Sequence, residues 1–212
     1  MQQIFDTNHF EHFEKRFRIN FFNSISGFKA VNLVGTQSVD GVSNLAIFSS
    51  IFHMGSNPAY FGMLFRPSQE VPRHTLSNIL ATGYYTINTI SNENYKQAHQ
   101  TSAKYDWGVS EFAKCGFEEE YIRGFKAPFV RQSQIKMGLE LLETHEMKFN
   151  NTLLVVGKVV LAVMEASFLE ADGFINHSKA HTVTSTGLDA YFQTEIIDRL
   201  SYAKPDKELF SI

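Results

Sequence analysis

The sequence predicts a mainly β protein, an antiparallel barrel with short peripheral helices. Most apolar residues fall in runs of strand length, and short helical patterns are inserted between these runs. Two connections, Asp40-Gly41 and Asn150-Asn151, have the composition of tight hairpin turns, because Gly and Asn tolerate the positive backbone dihedrals that such turns need. Repeated strand-helix-strand units are not found. Hairpin-joined strands therefore favour an antiparallel barrel over an alternating α/β fold.

The helical patterns are short and have recognisable ends. Residues 7–26 place phenylalanines at helical spacing, with a break expected near Arg18 and a stop at Gly27. Gly83 is the expected stop of a second helix, which carries a single apolar stripe. This second helix is His74–Thr82, and the other expected helices are Asn92–Ser102 and a single turn at Glu111–Lys114 within the loop Lys104–Gly116.

One predicted strand, at about residues 43–52, stands out because polar side chains interrupt an otherwise apolar run. The turn Asp40-Gly41 precedes it, and a loop at His53–Pro58 is expected to follow, since Ser56-Asn57-Pro58 has turn chemistry. A further loop is expected at residues 68–73. The other predicted strands are Lys29–Thr36, 59–66, Tyr84–Ile90, Ile135–Lys148 and Thr152–Met164.

Length and composition set limits on the class of protein. The 212 residues fit a single domain, with a helical segment at about 7–26 and a barrel at about 28–206. A formal net charge of −3 argues against a protein that grips nucleic acid or an anionic membrane, because both need a basic face. The single cysteine, Cys115, and the lack of a basic-apolar leader lead us to expect a reducing, cytoplasmic location.

Common cofactor and catalytic motifs are not found in the sequence. It contains no G-x-G-x-x-G, phosphate-loop, H-E-x-x-H or G-x-S-x-G motif and no paired cysteines. His9 with His12, and His177 with His181, are closely spaced but have no further ligands nearby, so no metal site is predicted. Cys115 is predicted to be a packed apolar residue rather than a nucleophile.

A candidate phosphate site is predicted where Arg73, His74 and Thr75 begin a helix. Free backbone N–H groups and the helix dipole favour an anion there. Arg73 adds a guanidinium group, Thr75 adds a hydroxyl, and Arg66 could supply a second cation from the end of the preceding strand. The alternative is that Thr75 only caps the helix and both arginines are solvated.

Asn44, Ser49 and Ser50 are the polar residues within the run that reads as core. Buried polar groups need partners, which are either neighbouring strands or the polar edge of a bound ring. Tyr105 and Trp107 lie in a predicted loop, where they could cover a planar ring or simply pack on the barrel.

Several groups of residues occur in a specific order along the chain. They are Ala30–Thr36; Asn44–Ser50; Arg73–Ile79 with Thr82-Gly83 and Ile87-Asn88; Ser110–Gly116 with Ala127-Pro128 and Gln132-Ser133; and Gly187–Tyr191 with Leu200–Pro205. In this order they resemble the flavin reductase-like family, whose fold is the FMN-binding split barrel. The resemblance extends from about residue 28 to residue 206.

The resemblance implies a non-covalent FMN, or alternatively FAD, with its phosphate near Arg73 and its isoalloxazine along Asn44–Ser50. A homodimer with the flavin near the subunit interface is also implied. Phe48 departs from the family pattern, which often has a small residue there. The expected cofactor contacts are Asn44, Ala46, Ser49, Ser50, Arg66, Arg73, His74 and Thr75, and the candidates for lining the site are Tyr105, Trp107, His177 and Tyr191.

Three functions are compatible with this pattern. The first is an FMN-dependent oxidoreductase that uses NAD(P)H, in which the flavin carries the chemistry and no side chain acts as an essential acid or base. The second is an FMN electron carrier of the flavoredoxin type, which reacts slowly with NAD(P)H. The third is a barrel that binds another phosphorylated ligand, such as a vitamin B6 phosphate. No motif selects NADH over NADPH or specifies the electron acceptor.

Overall fold

The computed structural model describes residues 1–67 and 73–212. Its helices are α1 (Thr7–His12), α2 (Lys15–Ser24), α3 (His74–Thr82), α4 (Tyr95–Gln100) and α5 (Glu111–Lys114), with a 3-10 turn at Ala166–Phe168. Its strands are β1 (Lys29–Ala30), β2 (Asn32–Gln37), β3 (Ser43–Phe48), β4 (Ile51–Ser56), β5 (Ala59–Phe65), β6 (Tyr84–Thr89), β7 (Glu119–Glu120), β8 (Phe129–Val130), β9 (Ile135–Met147), β10 (Thr152–Met164), β11 (Val183–Thr186) and β12 (Ala190–Gln193).

Seven antiparallel strands form the main sheet, in the order β3-β2-β6-β9-β10-β5-β4. The two edge strands, β3 and β4, are consecutive in the chain and are separated only by Ser49 and Ser50. So short a link holds the facing strand ends within roughly 10 Å of each other, and the sheet must therefore curl into a barrel. The predicted mainly β barrel with short peripheral helices is confirmed.

Ser50 fastens this closure to β5. Its backbone carbonyl accepts a hydrogen bond from the Leu64 N–H at 3.1 Å, and its hydroxyl donates to the Leu64 carbonyl at 2.8 Å. Both bonds involve the residue at which the chain passes from one edge of the sheet to the other. The link is thereby held to the strand that lies beside β4.

Both predicted hairpin turns are confirmed. Gly41, with a φ of +86°, lies in the turn between β2 and β3, and Asn151, with a φ of +55°, lies in the turn between β9 and β10. Gly and Asn adopt such positive φ angles more readily than other residues, which is why they predict turns at these two positions.

The core has two main clusters on opposite faces of the sheet. Val34 on β2, Tyr85 on β6 and Ile79 on α3 belong to the cluster inside the barrel. Leu33 and Leu45 face the other way and pack with residues of α4 and α5. Adjacent residues such as Leu33 and Val34 enter different clusters because successive side chains of a strand point to opposite faces.

The expected strand at residues 43–52 and the loop at His53–Pro58 were wrong. The strand ends at Phe48, since the link at Ser49-Ser50 must cross to the other edge, and β4 then continues to Ser56. Only Asn57 and Pro58 form the turn to β5, because Ser56 already pairs with Ala59. β4 is an edge strand whose residues are largely exposed, and its sequence therefore resembles that of a loop.

The expected single strand Lys29–Thr36 was also wrong. It divides at Val31, where β1 leaves the barrel to join a separate three-stranded sheet, β1-β11-β12. The two remaining strands of that sheet, β11 and β12, were not predicted, because each is only four residues long and Thr and Ser interrupt the apolar pattern of β11.

Two helices begin later or divide elsewhere than expected. The segment 7–26 breaks at Phe13, not near Arg18, because the Glu14 carboxylate accepts the N–H groups of Arg16 and Phe17 and so starts α2. The helix expected at Asn92–Ser102 is confined to α4, since Asn94 bonds back to the Ser91 N–H in a preceding turn.

Some expectations fall outside what the structure describes or tests. The loop expected at 68–73 lies outside the described residues except for Arg73. A single domain over residues 1–212 stays a prediction. Within residues 1–67 and 73–212, no helix has the length and apolar character needed to cross a membrane.

Gly157 on β10 provides a test of packing inside the barrel. A Cβ at this position would lie 2.0 Å from Tyr85 Oη, and that hydroxyl is buried without a hydrogen-bond partner among the described residues. We expect Gly157→Ala to lower the free energy of unfolding by about 1–3 kcal/mol, because the overpacked core must shift. Equilibrium unfolding in urea measures the change.

Tyr85→Phe is the matched variant for this test. Removing the hydroxyl should recover part of the loss in the double variant, although the ring carbon Cζ would still lie 2.8 Å from the new Cβ. A Gly157→Ala cost that is the same in the wild type and in the Tyr85→Phe background would contradict the contact.

Candidate functional site

A small cleft lies where β3, the start of α3 and the loop around Trp107 meet. Asn44 from β3, His74 and Asn78 from α3, and Trp107 with Gly108 from the loop line it. The residues come from three separate parts of the chain. The barrel therefore brings His74, one of the predicted phosphate residues, to the same cleft as Asn44 of the predicted ring-binding strand.

Two hydrogen bonds hold α3 against the barrel at this cleft. Asn44 Nδ2 donates to Thr75 Oγ1 at 3.0 Å, and Asn78 Nδ2 donates to Thr36 Oγ1 at 3.1 Å. All four residues are buried. The Thr75 oxygen accepts from Asn44, and the Thr75 hydroxyl hydrogen has no acceptor among the described residues, so it can donate to a further group.

The N-terminus of α3 has the features of an anion site. Arg73 occupies the N-cap position with extended backbone, and no side chain caps the helix. The alternative in which Thr75 caps the helix is therefore wrong, since Thr75 lies in the first turn. The first backbone N–H groups of a helix have no intrahelical acceptor, and the helix dipole is positive there. No carboxylate lies in the first turn to compete with an anion.

Arg73 carries an orphaned buried donor at this point. Its Nε is buried and has no hydrogen-bond partner among the described residues. A buried guanidinium N–H without an acceptor is costly, so this donor is open to an oxygen from outside the described residues. A phosphate oxygen fits this donor, and the residues present therefore fit the phosphate of a flavin nucleotide.

The two loop aromatics separate in the structure. The Trp107 ring meets the His74 ring edge to face, with centroids 4.7 Å apart, and stays 57% exposed at the cleft. Tyr105 instead packs against the cluster outside the barrel, with its hydroxyl 3.6 Å from Cys115 Sγ. Only Trp107 is thus placed to cover a ligand in this cleft.

Cys115 is a packed residue, as expected. It is buried in the cluster outside the barrel. Burial also raises the pKa of its thiol, which disfavours the reactive thiolate form.

The remaining flavin candidates differ in their surroundings. Ser50 donates its hydroxyl hydrogen to Leu64, so its oxygen alone is open to a ligand. Ala46 lies on β3 opposite Val34, Ser49 is half-buried in the link, and Arg66 is exposed after the end of β5. Contact of these four residues with a flavin stays a prediction.

Tyr191 and His177 have partners other than the cleft residues. The Tyr191 hydroxyl bonds His99 Nδ1 at 2.8 Å, and its ring lies 5.4 Å from that of Tyr95. His177 Nδ1 bonds Thr182 Oγ1 at 3.2 Å, and partial burial lowers the pKa of His177. The structure brings neither into contact with the pair Asn44–Thr75.

The histidine pairs of the sequence have structural roles. His9 forms a capping box with Asp6 at the start of α1, and His12 bonds the Asn8 carbonyl. Across the part of the chain that the structure describes, no three His, Cys, Asp or Glu residues are grouped as metal ligands would be.

Sequence reasoning missed a buried carboxylate behind β3. Glu111 on α5 is 5% exposed, and its Oε2 accepts the Leu45 N–H at 3.0 Å. Beside it, Ser43 Oγ donates to Glu119 Oε1 at 2.5 Å. The outer edge of β3 is thus bonded to acidic side chains rather than to another strand. The helical turn at Glu111 was predicted, but no sequence signal marks its carboxylate as buried.

Glu111→Ala tests this contact. We expect it to lower the free energy of unfolding by about 1–3 kcal/mol, because the buried Leu45 N–H would lose its acceptor. The same loss should accelerate hydrogen exchange of the Leu45 amide, which NMR follows residue by residue. Glu111→Gln is the control, since it keeps an oxygen acceptor of the same length. Unchanged exchange in the alanine variant would exclude the bond.

Comparison with known proteins gives a family and a fold. The family model described as "Flavin reductase like domain" matches residues 28–181. A candidate flavin reductase with a split barrel domain from Shewanella frigidimarina is 43% identical, covers 95% of this chain and 100% of its own, and superposes with a TM-score of 0.92.

More distant structures share the fold. Flavoredoxin of Desulfovibrio vulgaris is 19% identical, with 84% of this chain and 91% of that chain covered and a TM-score of 0.69. An FMN-binding protein from Thermus thermophilus is 17% identical, with 80% and 88% covered and a TM-score of 0.66. At such identities the likeness concerns the fold alone. The split-barrel fold predicted from the sequence is confirmed.

Proposed function

The chain belongs to the flavin reductase like domain family, and we propose that it is an FMN-binding oxidoreductase that takes electrons from NADH or NADPH. The observation that carries the proposal is the orphaned Arg73 Nε at the uncapped N-terminus of α3, beside the pair Asn44–Thr75. This arrangement supplies donors of three kinds, all suited to one phosphate.

The phosphate would be held by donors at the start of α3. Arg73 offers its guanidinium, Thr75 its free hydroxyl hydrogen, and the first turn of α3 its backbone N–H groups. The two bonds from α3 to the barrel keep Thr75 and the first turn of α3 in place before a ligand arrives. A site formed in advance loses little conformational entropy on binding.

The ring of the flavin is assigned to the neighbourhood of β3, with Ala46 and Ser49 as contacts, as the resemblance implies. The bulky side chain of Phe48 does not project freely into the space along β3. Its ring packs against Phe65 on β5, with centroids 5.0 Å apart. Trp107 and His74 would shield the adjoining cleft from water.

The bound flavin would supply the hydride and electron chemistry. The residues of this chain would bind its phosphate, orient its ring along β3 and limit solvent access at the cleft. We also propose a homodimer and an electron acceptor outside this chain, since the family resemblance implies the first and a redox carrier needs the second. FAD is the alternative flavin.

Arg73→Ala tests the phosphate assignment. We expect FMN affinity to fall about 10- to 150-fold, because one charge-assisted contact contributes roughly 1.5–3 kcal/mol. The unfolding free energy of the ligand-free protein should change little, since Arg73 Nε has no partner to lose among the described residues. Titration with FMN, followed by quenching of its fluorescence, measures the affinity.

Alanine variants of two other arginines serve as comparisons for Arg73→Ala. Arg131→Ala removes an exposed arginine that pairs with Glu118, and it should leave FMN affinity unchanged. Arg66→Ala should weaken binding less than Arg73→Ala, because Arg66 is exposed. Equal FMN affinity in wild type and Arg73→Ala would refute the phosphate site.

The reaction with pyridine nucleotide tests the proposed activity. When NADH or NADPH is added without oxygen, the protein reconstituted with FMN should rapidly lose the visible absorbance of the oxidised flavin. Slow bleaching with either nucleotide would indicate the electron-carrier alternative. Failure to bind FMN and FAD, with retention of pyridoxal phosphate, would replace the proposal by the phosphorylated-ligand alternative.

A further inference from the structure

Trp107 occupies the tip of a tight turn at the edge of the cleft. The Val109 N–H donates to the Asp106 carbonyl at 3.1 Å, and Gly108 has a φ of +91°, so residues 106–109 form a turn of the type that requires glycine at its third position. The turn holds Trp107 at the rim of the cleft, where 57% of the residue is exposed. Small polar residues are preferred at such tips, so a tryptophan here needs a separate explanation.

The indole ring of Trp107 has at least one open face. It meets the His74 ring at an interplanar angle of 86°. In an edge-to-face pair, His74 covers either one face of the indole or only its edge, and at least one face stays free of this contact. A planar base can stack on a free tryptophan face, and such stacking tolerates any base because every base has a π-face.

A ring stacked on Trp107 would lie at the mouth of the cleft and not inside it. The free volume of the cleft is about 10 Å³, which is roughly the space of one water molecule. Val42 and Val109 line the same cleft and give it apolar surface beside Trp107. Val42 is also 37% exposed. The mouth of the cleft therefore offers an aromatic face with apolar neighbours.

The parts of the candidate site follow one another in a fixed order along β3. The flavin ring is assigned to Ala46 and Ser49, and the phosphate to the neighbourhood of Asn44, nearer the start of the strand. The Trp107 cleft extends past Asn44 to Ser43 and to the turn between β2 and β3. In FAD, a second phosphate, a ribose and an adenine follow the first phosphate in the same order. FMN ends at its phosphate and would leave Trp107 uncovered.

We propose that Trp107 forms an adenine subsite beyond the phosphate site, and that the two together bind the adenosine diphosphate part of FAD. The donors at the start of α3 would hold the diphosphate, and the open face of Trp107 would stack on the adenine. Trp107 is then the residue that favours FAD over FMN, while FMN still binds through its phosphate. This inference rests on the proposed function and deepens it, because it needs the phosphate site at α3.

The affinities of the full chain for FAD and FMN test the adenine contact. We expect FAD to bind about 5- to 150-fold more tightly than FMN, because stacking of one base on an aromatic side chain contributes a factor of this size. Trp107→Ala should remove most of this preference, and Trp107→Phe should keep part of it, since an aromatic face remains. Isothermal titration calorimetry measures each dissociation constant.

Phe149→Ala is the matched control for Trp107→Ala. It also removes an exposed aromatic side chain from a turn, since Phe149 is 84% exposed between β9 and β10. The FAD preference should be the same in this variant as in the wild type. Far-UV circular dichroism of each variant shows whether the barrel stays folded.

ADP tests the subsite without any flavin. Trp107 is the only tryptophan of the chain, so its fluorescence reports on this one position. ADP does not absorb light where tryptophan emits, so quenching by ADP indicates contact with the ring. We expect saturable quenching by ADP, and Arg73→Ala should weaken ADP binding about 10- to 150-fold, because the diphosphate uses the donors at α3.

Three outcomes would overturn the inference. These are equal affinities for FAD and FMN, a FAD preference that survives Trp107→Ala, and quenching by ADP that does not depend on Arg73. NADH carries the same adenosine diphosphate group, so it is the other possible source. Quenching of Trp107 by NADH in the FMN-loaded protein, without a FAD preference, would assign the ring to the pyridine nucleotide and overturn the assignment to FAD.

Failure of the proposed function would give a different result. Equal FMN affinity in the wild type and Arg73→Ala would remove the phosphate site itself. FMN binding that depends on Arg73, together with a FAD preference that ignores Trp107, would overturn the adenine subsite alone.

Discussion

The two-residue step from β3 to β4 is the constraint on which the remainder of this structure depends. Ser49 and Ser50 must join the two edges of a seven-stranded sheet, and this is possible only if the sheet curls until those edges meet. Ser50 holds the junction through both its backbone carbonyl and its hydroxyl. The closed barrel then has one interior, which α3 enters with Leu76 and Ile79.

The candidate site is a consequence of that closure. β3 is an edge strand at the seam, the place where the two edges of the sheet meet. One edge of β3 pairs with β2, and its other edge is open to other partners. Acidic side chains bond its outer edge, while Asn44 reaches α3 and ties down the start of that helix. The seam thus presents a rigid strand and an uncapped helix end within one cleft, next to a guanidinium donor without a partner among the described residues.

Much of this arrangement could be predicted from the sequence. The features that could not be predicted were missed for physical reasons. Asp40-Gly41 and Asn150-Asn151 were informative because positive dihedrals restrict which residues a turn accepts. The helix that starts after Arg73 was found because its apolar stripe is local. β4 was missed because an exposed edge strand lacks alternation.

Long-range contacts were less accessible. Glu111 accepts from Leu45 across 66 positions, and no pattern near residue 111 records this. Tyr105 and Trp107 are two positions apart and looked equivalent in sequence, yet one faces the core and the other the cleft. Which way such a side chain turns depends on the packing around it.

The strand order also has a consequence for how the chain is made. β4 and β5 form a hairpin early in the sequence, but β5 reaches the sheet only through β10. On a ribosome, this hairpin stays unpaired while roughly 90 further residues are added, which at about 5–20 residues per second takes on the order of 5–20 s. The exposed Phe52 and Met54 lie on its free strand during that interval. The nascent chain is therefore most open to chaperones, and to faulty association with its neighbours, before β10 has emerged.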